Sequence, residues 1–483
     1  DVPSGAGGSG CGVGRGAVPS REGPTMVTAT APGPRQQAEN RSRGAVLTGL
    51  PTSLVAALRG FAATTPGRLS IAMVGLILLS LLTGIVGFLS GQSRVSTLDD
   101  LAAHREPVSA AAQQVYRALS DADATAASAF LSGAVEPANL REQYDTDIAQ
   151  AGAALAVAAS DSSDTGNVQD VVPALTQLET NLPVYTGIVE RAVANNADGY
   201  PVGSAYLREA DGLMQNTLLP AARSLYQTDI ASLDAQQDDA TSFPWVGAVL
   251  LVALLVALFF TQRYLTRRTK RVLNIGLVVA SIAMVLTLLW SAVGLIFAGV
   301  HVSTARGSGS DIVAQLSQAR TDALQARSDE ILNLVARGGE NYDPQFHTLA
   351  SELGGKDGTG GLLATLKSAS QDSTMSGEIN TAIDAARNWF SLHNSVQNLN
   401  NTGDYKNAVT VTLSSNSTGE AAMVTSLDSA LDKAITQGRT VFADQTNSAS
   451  AALFGWPIGV LVLAVIAAVG SAVGIWQRLR EYR

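Results

Sequence analysis

The chain has 483 residues, 46% of them hydrophobic and 15% charged, and a net charge of −9. Soluble domains carry about 25% charged residues, so the deficit points to long apolar stretches. One cysteine, Cys11, excludes a disulfide framework or a Cys-based metal site within one chain, and the net acidity argues against nucleic-acid binding.

Residues 1–43 are rich in Gly, Pro, Ser and Arg with almost no apolar periodicity, and 1–68 together read as a disordered, basic tail. Within it, 45–61 is weakly amphipathic and could lie along a membrane face. Four runs then follow that are long and apolar enough to cross a bilayer, since about 20 helical residues span the hydrocarbon core. They are Leu69 to Leu89, Phe243 to Thr261, Val272 to Val300 and Leu453 to Trp476. As domains, the expectation is transmembrane helices over 69–91, 242–262, 272–300 and 452–477. A basic link (263–271) and a basic tail (478–483) lie on one side with the N-terminal segment. Two large segments (92–241 and 301–451) lie on the other.

Charge sets the orientation. The segments before the first span, between the second and third, and after the fourth hold 15 basic and 4 acidic residues in all. The two large segments hold 17 basic and 37 acidic residues. By the positive-inside rule both termini and the link are cytoplasmic, and both large segments are extracytoplasmic, in a multi-pass plasma-membrane protein.

The large segments read as helices. Val108, Val115, Leu119, Ala122, Ala126 and Phe130 step by 7, 4, 3, 4 and 4, which keeps them on one helical face. Gly133 and Pro137 break that helix. Leu140, Tyr144, Ile148, Ala151 and Leu155 repeat the stripe. DSSDTGN (161–167) and NNADGYP (195–201) are the next breaks, and a fourth helix runs toward the second span with no further strong breaker. In the second segment Ile312, Leu316, Ala319 and Ala323, then Ile379, Ile383, Ala386 and Phe390, step by 4, 3 and 4. Its breaks fall at Gly338-Gly339, GGKDGTGG (354–361) and NNTGDY (400–405). The fold class is therefore all-α: four transmembrane helices with two extracytoplasmic antiparallel helical bundles, each helix of about 30 residues roughly 45 Å long. The closing helix of each bundle is expected to run on unbroken into its span.

An internal match suggests duplication. LPVY (182–185) aligns with RNWF (387–390), and NNADGY (195–200) with NNTGDY (400–405), both at an offset of 205. SFPW (242–245) and FGWP (454–457) then open the two closing spans, which end in TQR and WQR. In order and with near-constant spacing, these favour two copies of a unit made of span, bundle and span.

No chemical motif stands out. There is no Walker loop, nucleophile elbow or kinase motif set. His104, His301, His347 and His393 show no ligand spacing, and the spans carry no ionisable group of the kind that transport pathways need. No catalytic residue, cofactor or metal site is expected. For ligand binding in the bundles the candidates are Arg117, Tyr185, Arg191, Arg320, Arg387 and Trp389. An Arg can clamp a carboxylate in bidentate fashion, and Arg117 and Arg320 match at an offset of 203. Surface ion pairs are the plain alternative for the arginines, and core packing for Tyr185, Trp389 and Phe390. Arg263, Arg267, Arg268, Lys270, Arg271, Arg478 and Arg480 form the candidate cytoplasmic dock, or serve as topology-setting charge against lipid headgroups. Glycines at Gly75, Gly84 and Gly87, and at Gly455, Gly459, Gly470 and Gly474, could allow close helix approach.

A two-span unit with an outer four-helix bundle resembles the sensor half of a bacterial chemoreceptor. The whole layout over 69–483, with QRYLTRRTKR (262–271) and WQRLREYR (476–483), resembles the actinobacterial GlnX-type membrane protein. The Ala-rich, Arg-over-Lys composition suits such an origin. That resemblance implies a non-enzymatic relay of amino-acid availability. A glutamate/aspartate-binding lipoprotein would be its partner outside, a serine/threonine kinase of the protein kinase G type inside, and membrane lipids around it, with no nucleic acid. An envelope scaffold or assembly protein is the alternative, and a transporter component a weaker one.

Overall fold

A computed structural model describes residues 65–101, 106–162, 168–269, 274–337 and 341–480. The expected N-terminal tail up to residue 64, with the amphipathic stretch 45–61, lies outside the described residues, as do 163–167 of DSSDTGN and the break at Gly338-Gly339. The described residues form helices and no strand, so the fold is all-α. In order these are α1 (Thr65–Asp100), α2 (Glu106–Leu131), α3 (Ala138–Ser162), α4 (Val168–Ala197), α5 (Val202–Leu213), α6 (Leu219–Thr241), α7 (Trp245–Thr269) and α8 (Ile275–Ala305). They continue with α9 (Asp311–Ala336), α10 (Asp343–Gly354), α11 (Gly361–Ala369), α12 (Ser373–Asn401), α13 (Tyr405–Leu413), α14 (Glu420–Ala452) and α15 (Trp456–Arg480). Short π-helical turns at Met214–Leu218 and Arg306–Ser310 join α5 to α6 and α8 to α9.

The apolar stripes become cores. Val115, Leu119, Ala122 and Ala126 of α2 meet Tyr144, Ala151 and Leu155 of α3, Leu178 and Tyr185 of α4, and Leu219, Ala222 and Leu225 at the start of α6. In the second segment Ile312, Leu316, Ala319 and Ala323 of α9 pack with Ile379, Ala386 and Trp389 of α12 and Leu427 and Leu431 of α14. There the antiparallel second helix is split into α10 and α11 by the glycine-rich loop, and Phe346 and Leu363 fill the core from either side of it. The two NN-containing turns close alike. Gly199 and Gly403 take φ of +74° and +86°, and the following N–H groups donate five residues back, Tyr200 to Asn195 and Asp404 to Leu399. That left-handed cap suits glycine, which lacks the Cβ that disfavours it.

Four helical stretches are long and apolar enough to cross a membrane, and they contain α1, α7, α8 and α15. Leu76, Leu254, Leu258, Leu277, Met284 and Ala467 form their shared core. α15 packs along both α1 and α8. Small residues set the closeness: a Cβ on Gly276 would sit 2.4 Å from the Gly470 carbonyl oxygen, and one on Gly84 would sit 2.6 Å from Ala464 Cβ. Asn274 Nδ2 donates to the Gly474 carbonyl at 2.7 Å across the same contact. Gly75 has open space around it, and Gly455 caps a turn at φ +74°. Close approach therefore belongs to only part of the glycine set.

The unbroken run into the closing spans is not what the structure has. The helix stops at Thr241, and Ser242, with ψ of 140°, turns the chain through Phe243 and Pro244 before α7 starts. Pro244 lacks the N–H that would continue the ladder and disfavours helical backbone at Phe243. Arg94 of α1 donates Nη1 to the freed Ala240 carbonyl at 2.6 Å and Nη2 to that of Ser242. In the second half the break falls at Leu453–Gly455, where Trp456 Nε1 donates to Ser291 Oγ at 2.9 Å. In the second half continuity lies instead on the opening side: α8, the π turn and α9 follow one another without a break over Ile275–Ala336.

Candidate functional site between the two bundles

The two bundles share a seam made by α2 and α9. Gln113 accepts from Ser317 Oγ at 3.1 Å, Tyr116 OH accepts from Gln325 Nε2 at 3.1 Å, and Asp123 Oδ2 accepts from Ser328 Oγ at 2.8 Å. Partners rise together along both helices, so α2 and α9 run parallel. At the end away from the spans the seam is apolar: Ala127 and Leu131 pack with Ile331, Leu334 and Val335. At the span end Leu101, Leu233, Val302 and Phe442 close it again.

Between those plugs lies a polar cleft of about 70 Å³, with an adjoining chamber of about 50 Å³. A water needs about 10–15 Å³, so several waters or the head of a small polar ligand fit. Arg117, Arg223, Arg320 and Arg439 line the larger chamber with Gln113, Gln114, Gln318 and Asp432. Gln113 and Arg439 line both chambers and bond to each other at 2.8 Å, which makes that pair the partition.

The cations are held in two ways. Arg320, 7% exposed, grips Asp428 bidentately through Nε and through Nη2 at 2.7 Å, and donates Nη1 to Asp432 at 2.6 Å. Arg117 bonds Asp121 at 2.6 Å and Gln150 at 2.7 Å. Arg223 and Arg439 each donate to a neutral glutamine, at 3.2 Å to Gln318 and 2.8 Å to Gln113.

Carboxyls near the seam are pushed upward by loss of water. Asp322 and Asp147 rise to about 6, chiefly through burial. Asp329 rises to about 7 through burial and the nearby Asp123. Asp123 is also raised by burial, against the bonds it accepts from Ser328 and Tyr185.

Of the residues singled out by sequence, the cleft gathers Arg117 and Arg320. Tyr185 is fully buried in the first core and donates its hydroxyl to Asp123 Oδ1 at 3.1 Å. Trp389 is fully buried in the second core and donates Nε1 to Glu330 at 3.0 Å. Arg191 and Arg387 are exposed and away from the cleft, Arg387 pairing with Asp384. Of the candidate dock, Arg263 and Arg267 are exposed on α7, and Arg480 lies over the Trp476 ring at 5.7 Å. Arg478 is half-buried, and Arg268 lies in α7, though its side chain is outside the description. Lys270 and Arg271 lie outside the described residues.

One cluster was invisible to sequence spacing. Glu330 is fully buried in the second bundle and accepts from Arg327 Nη1 at 2.6 Å, Trp389 Nε1 at 3.0 Å and His393 Nδ1 at 2.6 Å. Burial alone would raise its pKa, but the His393 bond and the Arg327 charge outweigh this and hold it below the usual range. Arg327 also reaches the Thr412 carbonyl at 2.6 Å and Glu420 at 3.6 Å.

Residues 97–238 match the actinobacterial sensor domain family. That segment runs from the end of α1 through α6 and holds the whole first bundle. The match supports an actinobacterial sensor protein, and the four apolar stretches a membrane one. No curated protein and no solved structure matches the chain.

Proposed function

We propose that this chain is a non-enzymatic transmembrane sensor that passes an extracytoplasmic signal to a cytoplasmic partner. The observation that carries the reading is the position of the sensor-domain match, on a bundle joined directly to two candidate spans. The finer reading is that the signal is amino-acid availability, presented through a glutamate/aspartate-binding lipoprotein and answered by a serine/threonine kinase of the protein kinase G type. The arginine-lined cleft favours a carboxylate as the recognised group. The basic ends of α7 and α15 favour a cytoplasmic dock that also meets lipid headgroups, with both termini inside.

Duplication belongs to the same proposal. Helices α2 and α9 begin and end at an offset of 205, and α4 and α12 begin at that offset. Residues facing each other along the seam are 204 to 209 apart in sequence. A two-fold interface brings each patch against its own counterpart, so a fused pair of copies gives this register. Motion would then pass along the unbroken Ile275–Ala336 stretch, where shifts of about 1–2 Å are typical of switching helices.

Proximity labelling from each membrane face tests the reading. A solute-binding lipoprotein on the outer face and a kinase on the inner face are expected. Recovery of wall-synthesis proteins alone would defeat it in favour of an envelope scaffold.

A further inference from the structure

The second bundle brings together two of the four histidines. Asp343 and His347 lie four residues apart on the first turns of α10, hence on one face. His393 of α12 is packed against them by Phe346, whose ring stacks on the imidazole at 3.6 Å between centroids. His393 Nε2 is 3.2 Å from Asp343 Oδ1, and His347 Nε2 is 3.4 Å from Asp343 Oδ2. One ligand atom from each residue lies within 4.8 Å of both others. Four-coordinate zinc with bonds near 2.0–2.1 Å places its ligand atoms about 3.3 Å apart; the two Asp343–histidine distances match this, each to a different carboxylate oxygen, and the set within 4.8 Å needs only side-chain adjustment to close around an ion.

The surroundings support the same chemistry. A metal-bound histidine usually donates its other ring N–H to a carboxylate, which fixes the tautomer. His393 Nδ1 lies 2.6 Å from Glu330 Oε1, and Arg327 and Trp389 hold that carboxylate in turn. Nε2 is thereby left to face Asp343 and His347. Exposure is graded as an entry path requires: the His393 side chain is 1% exposed, Asp343 30% and His347 58%. The neighbouring set of Glu330, His393 and Glu420 is a poorer holder, because Arg327 Nη1 lies against both glutamates, 2.6 Å from one and 3.6 Å from the other.

We infer that Asp343, His347 and His393 form a binding site for a zinc-class divalent cation on the second bundle, with Glu330 as the positioning residue behind His393. Two nitrogens and one carboxylate suit zinc or a late first-row metal better than calcium or magnesium. Three protein ligands leave a fourth position facing solvent, where a water or an incoming carboxylate would bind.

The test uses the full chain, purified in detergent and stripped with chelator, titrated with Zn2+ by calorimetry and with Co2+ by visible absorption. One equivalent of Zn2+ and the intense visible bands of tetrahedral Co2+ are expected. His347→Ala and Asp343→Asn change half-exposed or exposed side chains and should remove both signals while the far-ultraviolet dichroism stays unchanged. Glu330→Gln should weaken binding about 10–100-fold without changing stoichiometry. Absence of stoichiometric binding overturns the inference, and so does binding that survives unchanged in the Asp343→Asn, His347→Ala double variant.

Discussion

Asp123 and Ser328 lie 205 residues apart in sequence and 2.8 Å apart across the seam, serine hydroxyl to carboxylate. At a true two-fold axis the same residue would face itself, and two buried aspartates would repel or share a proton. Here one partner donates and the other accepts, and Tyr185 supplies a second donor at 3.1 Å. On the proposed duplication, a fused pair can make its axis contact unequal in this way.

The buried carboxyls give the seam a pH dependence. Asp123, Asp147, Asp322 and Asp329 all sit above the ordinary range, near 3.9, the last three at about 6, 6 and 7. A raised folded-state pKa means the native form binds more protons than the unfolded one between the two values. Their contribution to stability is therefore full below about pH 4 and is lost as pH rises through 6 to 7. Thermal unfolding in detergent should show a higher midpoint at pH 5 than at pH 8. Asp123→Asn keeps one acceptor oxygen and offers an N–H to the other hydroxyl, which can turn to accept it, and should flatten that difference; an equally steep profile would place the effect elsewhere.

Removing Arg320 leaves Asp428 and Asp432 facing each other without their shared cation. Arg320→Ala should cost about 1–3 kcal/mol, less than a fully buried pair because both aspartates keep some contact with water. Arg320→Lys should restore little of it, since a point charge cannot reproduce the bidentate grip. Denaturant midpoints of the three proteins check this, and full rescue by lysine would show that charge alone matters.

Glycines in the span region separate into two classes. A methyl on Gly276 would meet the Gly470 carbonyl at 2.4 Å, so Gly276→Ala should destabilise by about 1–3 kcal/mol. Gly75→Ala meets nothing within 4 Å and should be neutral or gain up to about 1 kcal/mol of helix propensity. Comparing melting temperatures of the two variants in one detergent decides it.

Mechanical coupling should differ between the opening and closing spans. Four glycines inserted after Gly307 interrupt the continuous stretch and should abolish inward signalling. The same insertion after Phe243, where the helix already breaks, should leave most of it. Under the proposed relay, phosphorylation by its cytoplasmic kinase in cells carrying each variant provides the readout, and the opposite order would return the signal path to α6 and α7.

Much of the architecture was legible because period and punctuation agreed. The 3.6-residue stripes of α2, α3, α9 and α12 became cores, and the turns at NNADGYP and NNTGDY fell on glycines with positive φ. The break before α7 was written in Pro244 yet masked by the apolar run that follows it. The Arg117 and Arg320 pairing was reachable through their common offset, whereas Arg223 and Arg439, on closing helices without that register, were not. The Glu330, His393 and Asp343 cluster draws on three helices separated by loops, so no linear spacing could announce it; its one local signal was the four-residue step from Asp343 to His347.

The seam joins two halves carried on one polypeptide, so dilution cannot part them. Receptors assembled from separate subunits respond according to how much of each has been made, whereas tethering keeps the second half at an effective concentration on the order of millimolar. The contact between Asp123 and Ser328 is therefore held at any concentration of the protein.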